Sequence, residues 1–315
     1  MRKKIICIVG ATASGKTALS IELAKQINAE IISADSMQIY KRLNIGTAKV
    51  TKEEMEGIPH HMIDICDVRE KFSVADFKNM CYDKISEISK RNKNVIIVGG
   101  TGLYFNSVIY DMNFDNQKNT DDYRDELQKI LNEKGKEYLY NKLVEIDPIS
   151  AKEIHPNNIK RVIRALEIAK NSEKLKSEHM MEEIKRLENF SHPDYEFFVY
   201  YIDYPREKLY ERINKRIDIM VKNGVLDEAK MLYDMNLDKD NTCIQAIGYK
   251  EFFEYFEGKE NLDDAIEKLK KSTRHYAKRQ ITWFKNKLNC HSLLTYSNVS
   301  EMVQEIINDS NILEK

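Results

Sequence analysis

The fold of this chain is decided by eight residues near its start, Gly10-Ala11-Thr12-Ala13-Ser14-Gly15-Lys16-Thr17. They follow a short apolar run at 4–9 (KIICIV), and from Lys16 onward the apolar residues recur at helical spacing. A GxxxxGK[ST] loop between a strand and a helix binds phosphate groups, because its backbone N–H groups and the helix N-terminus form an anion nest. Lys16 would bring a positive charge to phosphate oxygens, and the Thr17 hydroxyl is the natural contact for Mg²⁺.

Further strand signals surround this loop. Short apolar runs stand at 30–33 (EIIS), 95–98 (VIIV) and 196–202 (EFFVYYI), and a further strand is expected at 292–296. A helix is expected to begin after an N-cap at Ser73 and to continue to about residue 90. The alternation of strands and helices predicts an α/β protein, with a P-loop NTPase-like parallel sheet flanked by helices.

The texture of the sequence changes between about residues 113 and 195. This segment is rich in Asp, Glu, Lys and Asn, has helical periodicity and carries few strand signals. We therefore predict a P-loop catalytic core formed by residues 1–112 and 196–315, with a mainly helical insertion at 113–195.

Charge is distributed unevenly along the chain. The net charge of −1 argues against a general binder of polyanions, but no acidic residue stands between Lys268 and Ser300, a stretch that is rich in Lys and Arg. Such a segregated basic segment can bind nucleic acid on one face. The five cysteines include no CxxC pair, and no apolar run approaches the length of a membrane span, so we expect a cytoplasmic protein with reduced thiols and no membrane partner.

Two polar residues are expected beside the phosphate loop. Asp35 follows the strand at 30–33, and Thr101 follows the strand at 95–98 within the turn Gly99-Gly100-Thr101-Gly102. Ligands of open α/β sheets bind outside the carboxyl ends of the strands, so both side chains should face the same crevice as Lys16. Asp35 could act as a general base or as a second-shell Mg²⁺ ligand, or it could simply cap a helix or close an Asx turn. Thr101 could support a phosphate oxygen or be an ordinary turn threonine.

The motif does not by itself identify the ligand of the phosphate loop. The strand at 95–98 ends in glycines and has no carboxylate in the Walker-B position, which argues against a motor or a GTPase. Arg212 and Arg216 lie four residues apart on a predicted helix and could clamp phosphates, or could be surface charges. The pair His60-His61 lacks an apparent third ligand for a metal, and the aromatic residues Trp283 and Phe284 are expected to pack in the protein interior.

Nine long segments of the chain match one known family in the same order: GATASGKT (10–17), ADSMQIY (34–40), IGTAKV (45–50), PHHMID (59–64), FSVADF (72–77), VGGTGLY (98–104), KRVIRALEI (160–168), QAIGYKE (245–251) and YAKRQITWFK (276–285). The chain resembles the bacterial tRNA dimethylallyltransferases, also called tRNA isopentenyltransferases, over nearly its whole length. It departs from them at Ala11, where the family commonly has proline, and at 171–175, which lacks the usual Thr-Gly-Lys/Arg-Pro turn.

The resemblance implies transfer of a dimethylallyl group from dimethylallyl pyrophosphate to N6 of the adenosine just 3′ of the anticodon, position 37, in tRNAs that read codons beginning with U. It places the pyrophosphate, with Mg²⁺, on residues 12–17. It makes Asp35, Thr101 and Lys16 the catalytic residues, with Asp35 taking a proton from N6 and Thr101 supporting the bridging oxygen. It places the tRNA anticodon stem-loop on Asp35, Ser36, Met37, Gln38, Thr101, Arg124, Ile159, Lys160, Arg161, Val162 and Ile163.

Two other functions share parts of this pattern. A P-loop kinase of a small metabolite would also have the loop and an aspartate at a strand end, and an RNA-binding NTPase module would have the loop and the basic stretch. The kinase leaves the basic stretch and the nine matching segments unexplained, whereas the NTPase module would turn over nucleotide and leave the RNA unmodified. We expect the protein to act as a monomer.

Overall fold

The computed structural model describes residues 2–114, 121–171, 175–187, 190–238, 241–294 and 298–313. The chain divides into two compact units: the first comprises Met1–Ile109 and His192–Lys315, and the second is Tyr110–Ser191. The turn expected to differ at 171–175 lies mostly outside the described residues, as does the end of the strand expected at 292–296.

The first unit is built on a sheet of six strands, all parallel, in the order β3-β2-β4-β1-β5-β6. The strands are β1 (Lys3–Val9), β2 (Ala29–Ala34), β3 (His60–His61), β4 (Asn94–Gly99), β5 (Tyr195–Asp203) and β6 (His291–Leu294). The fold class predicted from the sequence is therefore confirmed. The two-residue strand β3 was not predicted, because a strand this short has no periodicity of its own and exists only through its pairing with β2.

The central strands are apolar on both faces because helices cover both sides of the sheet. Residues 5–9 of β1 are fully buried, and each of them pairs with a residue of β5. This burial explains why the strands read as continuous apolar runs rather than as alternating patterns. The paired carboxyl ends Val9, Gly99 and Ala34 bring three strand-to-loop junctions side by side at one edge of the sheet.

The helices of the first unit are α1 (Lys16–Gln26), α2 (Val74–Lys90), α3 (Gly102–Ile109), α8 (Arg206–Lys222), α9 (Val225–Asp234), α10 (Phe253–Phe256), α11 (Leu262–Lys287) and α12 (Val299–Ser310). One apolar layer joins α1 and α12 to the sheet, and a second joins α8, α9 and α11 to the loops after β2. The predicted burial of Phe284 is confirmed, since its ring lies 6.2 Å from those of Phe105 and Tyr201.

The start of α2 confirms the cap that the sequence predicts. Ser73 is the N-cap, and its hydroxyl accepts a hydrogen bond from the backbone N–H of Asp76. The Asp76 carboxylate accepts a hydrogen bond from the N–H of Ser73 in return. This reciprocal capping box satisfies two N–H groups that the helix itself cannot pair.

The second unit is helical in the part that the structure describes. Its helices are α4 (Asp121–Ile146), α5 (Pro148–Glu153), α6 (Ile159–Asn171) and α7 (Lys176–Leu187), and α4 consists of two helical parts joined at Gly135, which has a φ of 81°. Apolar residues of α4, α5 and α6 form a core that belongs to this unit alone. Among the described residues of both units, no helix combines the length and the apolar character needed to cross a bilayer.

Candidate active site

A cavity of about 390 Å³ opens at the carboxyl ends of the strands in the first unit. The phosphate loop, the end of β2, the end of β4 and the helices α8 and α11 all contribute to its wall. Its polar wall includes Thr12, Lys16, Thr17, Asp35, Gln38 and Arg216. The structure thus brings together most of the first-unit residues that the sequence predicted for this site.

The phosphate loop has the curled backbone that an anion nest requires. Gly15 has a φ of 98°, a left-handed conformation that glycine adopts without steric penalty, and Ala13 has a φ of 63°. The Ser14 hydroxyl oxygen is buried and has no hydrogen-bond partner among the described residues. A buried hydroxyl next to the turned amides fits an anionic ligand that would supply the missing acceptor.

Lys16 begins α1, and protein atoms surround its ammonium group. The Nζ atom donates a hydrogen bond of 2.7 Å to the carbonyl oxygen of Ala11, within the phosphate loop itself. The pKa of Lys16 is lowered to about 7, chiefly by burial and also by the nearby Arg216, while Asp35 acts in the opposite direction. A bound phosphate would stabilise the charged form of Lys16, because its negative charge would compensate for the water that burial removes.

The two arginines predicted as phosphate clamps differ in their surroundings. Arg212 is exposed, and its Nε donates a hydrogen bond of 2.8 Å to the carbonyl oxygen of Ala13. Arg216 lines the cavity, with one nitrogen 3.4 Å from the Thr12 hydroxyl and another 3.4 Å from the Ala48 carbonyl oxygen. Burial lowers the pKa of the Arg216 guanidinium, while Asp35 raises it. Arg216 is therefore the arginine of the cavity wall, whereas Arg212 contacts the phosphate loop from outside, and phosphate binding by either arginine stays a prediction.

Asp35 forms the Asx turn that was one of its alternatives, and its role as a general base stays a prediction. Its Oδ1 accepts hydrogen bonds from the backbone N–H groups of Met37 (2.9 Å) and Gln38 (3.4 Å), which is the geometry of an Asx turn. Both bonds use Oδ1, so Oδ2 keeps its lone pairs for a proton. The carboxylate lies in the wall of the same cavity as Lys16 and Arg216.

Thr101 is tied to the loop that carries Asp35. Its hydroxyl oxygen accepts a hydrogen bond of 3.0 Å from the backbone N–H of Ser36. The hydroxyl of Tyr276, on α11, lies beside the side chains of Thr101 and Gln280. Burial raises the pKa of Tyr276, with Asp35 contributing in the same direction, so its hydroxyl keeps its proton.

A loop after β2 closes one side of the cavity, and a carboxylate from α9 holds it. Glu228 accepts hydrogen bonds from the backbone N–H groups of Asn44, Ile45 and Gly46 at 2.8–3.0 Å, and from the hydroxyl of Tyr249 at 2.7 Å. Gln38 donates to the carbonyl oxygens of this loop at 47 and 48. The loop is therefore fixed by hydrogen bonds to one side chain just before it in the sequence and to another on α9.

Sequence reasoning missed Gln280, Tyr276 and Glu228 as site residues. Tyr276 and Gln280 lie within the segment at 276–285 that carries the family resemblance, in which only Trp283 and Phe284 have an expected role, which is packing. Their spacing of four residues places them on one face of α11, which was the available signal. Glu228 offered no local signal, because the amides that it binds lie more than 180 residues away.

The predicted RNA contacts in the second unit fall into two groups. Ile159 is half-buried, and Lys160 and Arg161 are exposed at the start of α6, whereas Val162 and Ile163 are only 1% and 6% exposed and belong to the core of this unit. The side chains of these last two do not reach the surface, because the apolar stripe of α6 packs on α4. Arg124 forms an ion pair with the buried Glu167 at 2.7 Å. Contact of this segment with RNA stays a prediction.

The basic stretch on α11 is partly neutralised by contacts within the first unit. Lys268 pairs with Glu254 and Glu260, Lys270 pairs with Asp218 and Glu267, and Lys285 pairs with Asp203. The sequence could not show this, because the acidic partners lie outside the stretch. The side chains of Lys271, Lys278, Arg279 and Lys287 are exposed.

The residues present fit a Mg²⁺ ion that is held together with phosphate oxygens. Mg²⁺ usually keeps several waters and takes only one or two protein ligands beside substrate phosphates. Thr17 is exposed on the first turn of α1 and lines the cavity, as does the carboxylate of Asp35. Among the described residues, no group of three or more His, Cys, Asp or Glu could hold a metal by itself. His60 and His61 instead bond to the Ile58 carbonyl oxygen and to Glu30.

The fold and the site define a class: an α/β protein with a P-loop whose crevice is lined by a loop lysine, an arginine from α8 and an aspartate at a strand end. Residues 38–287 match the family model described as IPP transferase, and the chain belongs to this family. It is 50% identical over 287 residues to the tRNA dimethylallyltransferase of Bacillus subtilis strain 168, covering 91% of this chain and 89% of that one.

Solved structures agree with this assignment. A tRNA isopentenylpyrophosphate transferase from Bacillus halodurans is 44% identical, covers 99% of each chain and superimposes with a TM-score of 0.72. A eukaryotic dimethylallyltransferase described as acting on tRNA is 34% identical, covers 98% of this chain and 79% of its own, and superimposes with a TM-score of 0.81.

Proposed function

We propose that this protein transfers the dimethylallyl group of dimethylallyl pyrophosphate to N6 of adenosine 37 in tRNAs that read codons beginning with U. The observation that carries the proposal is the convergence of Lys16, Arg216 and Asp35 on one cavity beside the phosphate loop. A cationic cradle for a leaving pyrophosphate then stands next to a carboxylate that can accept a proton. Family membership and the names of the relatives favour this reaction over a kinase or an NTPase.

The leaving group dominates the chemistry of this reaction. The exocyclic amine of adenine is a weak nucleophile, because its lone pair is delocalised into the ring. The bond between C1 of the dimethylallyl group and the bridging oxygen breaks as negative charge builds on the pyrophosphate. The turned amides of the phosphate loop, Lys16 and Arg216 would stabilise that charge, and such fixed dipoles and charges typically contribute several kcal/mol. Bound Mg²⁺, held by Thr17 and the phosphates, would add positive charge there.

The proton of the attacking amine needs an acceptor. As the bond from N6 to C1 forms, N6 becomes positive and loses a proton, which Asp35 would take on its free carboxylate oxygen. The Asx turn at Oδ1 holds the carboxylate in place without using that oxygen. Thr101, held by the N–H of Ser36, would turn its hydroxyl hydrogen from the Ser36 hydroxyl, 3.4 Å away, to the oxygen that departs with the pyrophosphate.

The target adenine must leave the stack of the anticodon loop to reach a recessed cavity. Extruding a base from its stack requires roughly a few kcal/mol. We propose that the segment Asp35–Gln38 contacts the extruded base and that Lys160 and Arg161 contact the backbone of the anticodon stem-loop. The exposed lysines and arginine of α11 are further candidates for phosphate contacts.

The function is tested by incubating the purified protein with unmodified tRNA, Mg²⁺ and labelled dimethylallyl pyrophosphate, followed by mass analysis of the nucleosides. Label in N6-(dimethylallyl)adenosine at position 37, with one pyrophosphate released per transfer, is the expected result. Unlabelled RNA together with phosphate released from ATP would contradict the proposal and favour the kinase or the NTPase.

A further inference from the structure

We infer that Gln280 is a positioning residue that sets the distance between the phosphate loop and the turn carrying Thr101. This inference rests on the proposed function, because it assigns a role in holding the leaving group and its hydrogen-bond donor together. Gln280 is not itself a reacting group and contacts neither the leaving group nor the adenine. It acts through two backbone groups and one hydroxyl of its neighbours.

The amide of Gln280 bridges two loops that follow different strands. Its Oε1 accepts a hydrogen bond of 2.9 Å from the backbone N–H of Thr12, and its Nε2 donates one of 3.0 Å to the carbonyl oxygen of Gly100. The side chain is only 5% exposed, so water does not compete for either bond. A primary amide suits this task because it has a donor and an acceptor on adjacent atoms.

The hydrogen bond between Gln280 and Thr12 determines which groups of Thr12 can bind a ligand. Because its N–H group is already paired with Gln280, Thr12 contributes to ligand binding through its hydroxyl, which lies 3.4 Å from Arg216. The paired amide anchors the first half of the loop to α11. The amides further along the loop then keep their direction when the pyrophosphate arrives and leaves.

The bond to Gly100 has a matching steric feature. A Cβ atom at position 100 would lie 2.2 Å from the Nε2 of Gln280, a distance that real Cβ atoms do not show. Glycine is therefore needed at this position to let the amide approach the backbone. The turn at 99–102 and Gln280 form a fitted pair, and Thr101 is the next residue in that turn.

A third contact extends the bridge to Thr101 itself. The Tyr276 hydroxyl, one helical turn before Gln280, lies beside the side chains of both Gln280 and Thr101. Ser36 holds the same hydroxyl from the other side, because its N–H donates to the Thr101 oxygen at 3.0 Å and the Thr101 hydroxyl donates to the Ser36 hydroxyl at 3.4 Å. The helix α11 thus fixes the phosphate loop and the turn that carries Thr101 at a constant distance from each other.

Loss of the Gln280 bridge should lower kcat more than it weakens the binding of dimethylallyl pyrophosphate. Misplacing a reacting group by about 1 Å can lower a rate by roughly 100-fold. We expect Gln280→Met, which keeps the length of the side chain but removes both hydrogen bonds, to lower kcat by about 10- to 100-fold. KM for dimethylallyl pyrophosphate should rise less than about threefold, because Lys16, Arg216 and the remaining amides are unchanged. Gln304→Met, the same change at an exposed glutamine of α12, is the matched control.

A second variant separates positioning from general loss of structure. In Gln280→Glu a neutral carboxylic acid can accept from Thr12 and donate to Gly100 as the amide does, whereas an ionised carboxylate cannot donate. We expect the ratio of its kcat to that of the wild type to fall as pH rises through the pKa of the introduced carboxyl, which burial should raise. Gln280→Met should show no such pH dependence.

The experiment combines transfer kinetics between about pH 5.5 and 8.5 with hydrogen exchange of the Thr12 amide, measured in the absence of substrates. The Thr12 amide should exchange faster in Gln280→Met than in the wild type. Wild-type kcat in Gln280→Met, a pH-independent ratio for Gln280→Glu, or an unchanged Thr12 exchange rate would each overturn the inference. Absence of transfer by the wild type would instead overturn the proposed function, and the exchange measurement would still decide whether Gln280 anchors the loop.

Discussion

At the residue scale, protein atoms have replaced part of the water around the ammonium group of Lys16. Its pKa is lowered to about 7, chiefly by burial, whereas an unfolded chain would show the ordinary value of 10.5. Between these values the ligand-free protein holds Lys16 neutral. A bound pyrophosphate favours the charged form, so binding in this interval takes up a proton.

We therefore expect pyrophosphate affinity to fall as pH rises above about 7, with proton uptake approaching one per pyrophosphate at about pH 8–9. Titration calorimetry in two buffers of different ionisation enthalpy measures the uptake. Lys16→Met serves as the reference, because it keeps the protonation of pyrophosphate itself and removes the lysine. Equal uptake by the variant and the wild type would show that Lys16 does not titrate on binding.

A substitution at Asp35 can separate the Asx turn that its carboxylate forms from the proton that this carboxylate is proposed to accept. In Asp35→Asn the amide oxygen can still accept the N–H groups of Met37 and Gln38, but the side chain can no longer take a proton. We expect kcat with saturating tRNA to fall by about 10²–10⁴, with thermal stability close to that of the wild type. Asp83→Asn, at an exposed position of α2, provides the comparison. Full turnover by Asp35→Asn would exclude Asp35 as the general base.

At the scale of elements, one side chain of α9, Glu228, binds three consecutive backbone N–H groups of the loop at 44–48. Glu228 receives three backbone N–H groups of this loop and the hydroxyl of Tyr249, so its removal leaves four donors without their acceptor. The same loop provides part of the cavity wall and a carbonyl oxygen near Arg216. Stability and activity are therefore linked at this position.

We expect Glu228→Ala to lower the free energy of unfolding by about 2–4 kcal/mol and Glu228→Gln to lower it by less, since the amide keeps one acceptor oxygen. Urea denaturation measures both. Asp227→Ala, at the exposed neighbouring position on α9, should change stability far less. A loss in Glu228→Ala no larger than that in Asp227→Ala would mean that these hydrogen bonds contribute little.

At the scale of the whole molecule, the second unit is expected to serve tRNA binding alone, whereas the first unit holds the pyrophosphate site and part of the tRNA contact. The cavity and all of its wall belong to the first unit, whereas Lys160 and Arg161 stand exposed on the second. The second unit also has its own apolar core. Substitutions on its surface should therefore leave the structure of the cavity unchanged.

Charge reversal at Lys160 and Arg161 together should weaken tRNA binding and reduce its dependence on salt, because each lost phosphate contact lowers the slope of log K against log salt by roughly one. Pyrophosphate affinity should stay unchanged. Filter binding across a salt series measures the slope, and Lys129→Glu on α4 is the control reversal. An unaltered slope would place the RNA contacts elsewhere.

Several features were determined by the sequence alone because their causes are local. The phosphate loop, the apolar runs of the central strands and the Ser73 cap of α2 depend on residues a few positions apart. The sequence also predicted that Asp35 would meet Lys16, since parallel strands end at one edge of their sheet. The family followed from segments long enough to be specific.

Tertiary structure alone decided which distant residues complete the site. Gln280 is 268 positions from Thr12, and Glu228 is 183 positions from Ile45, so neither contact leaves a local trace in the sequence. The strand β3 exists through its pairing with β2, and the basic stretch of α11 loses part of its charge to acids outside that stretch. These features depend on how helices pack against the sheet after distant segments have met, whereas propensity and periodicity act only between near neighbours in the chain.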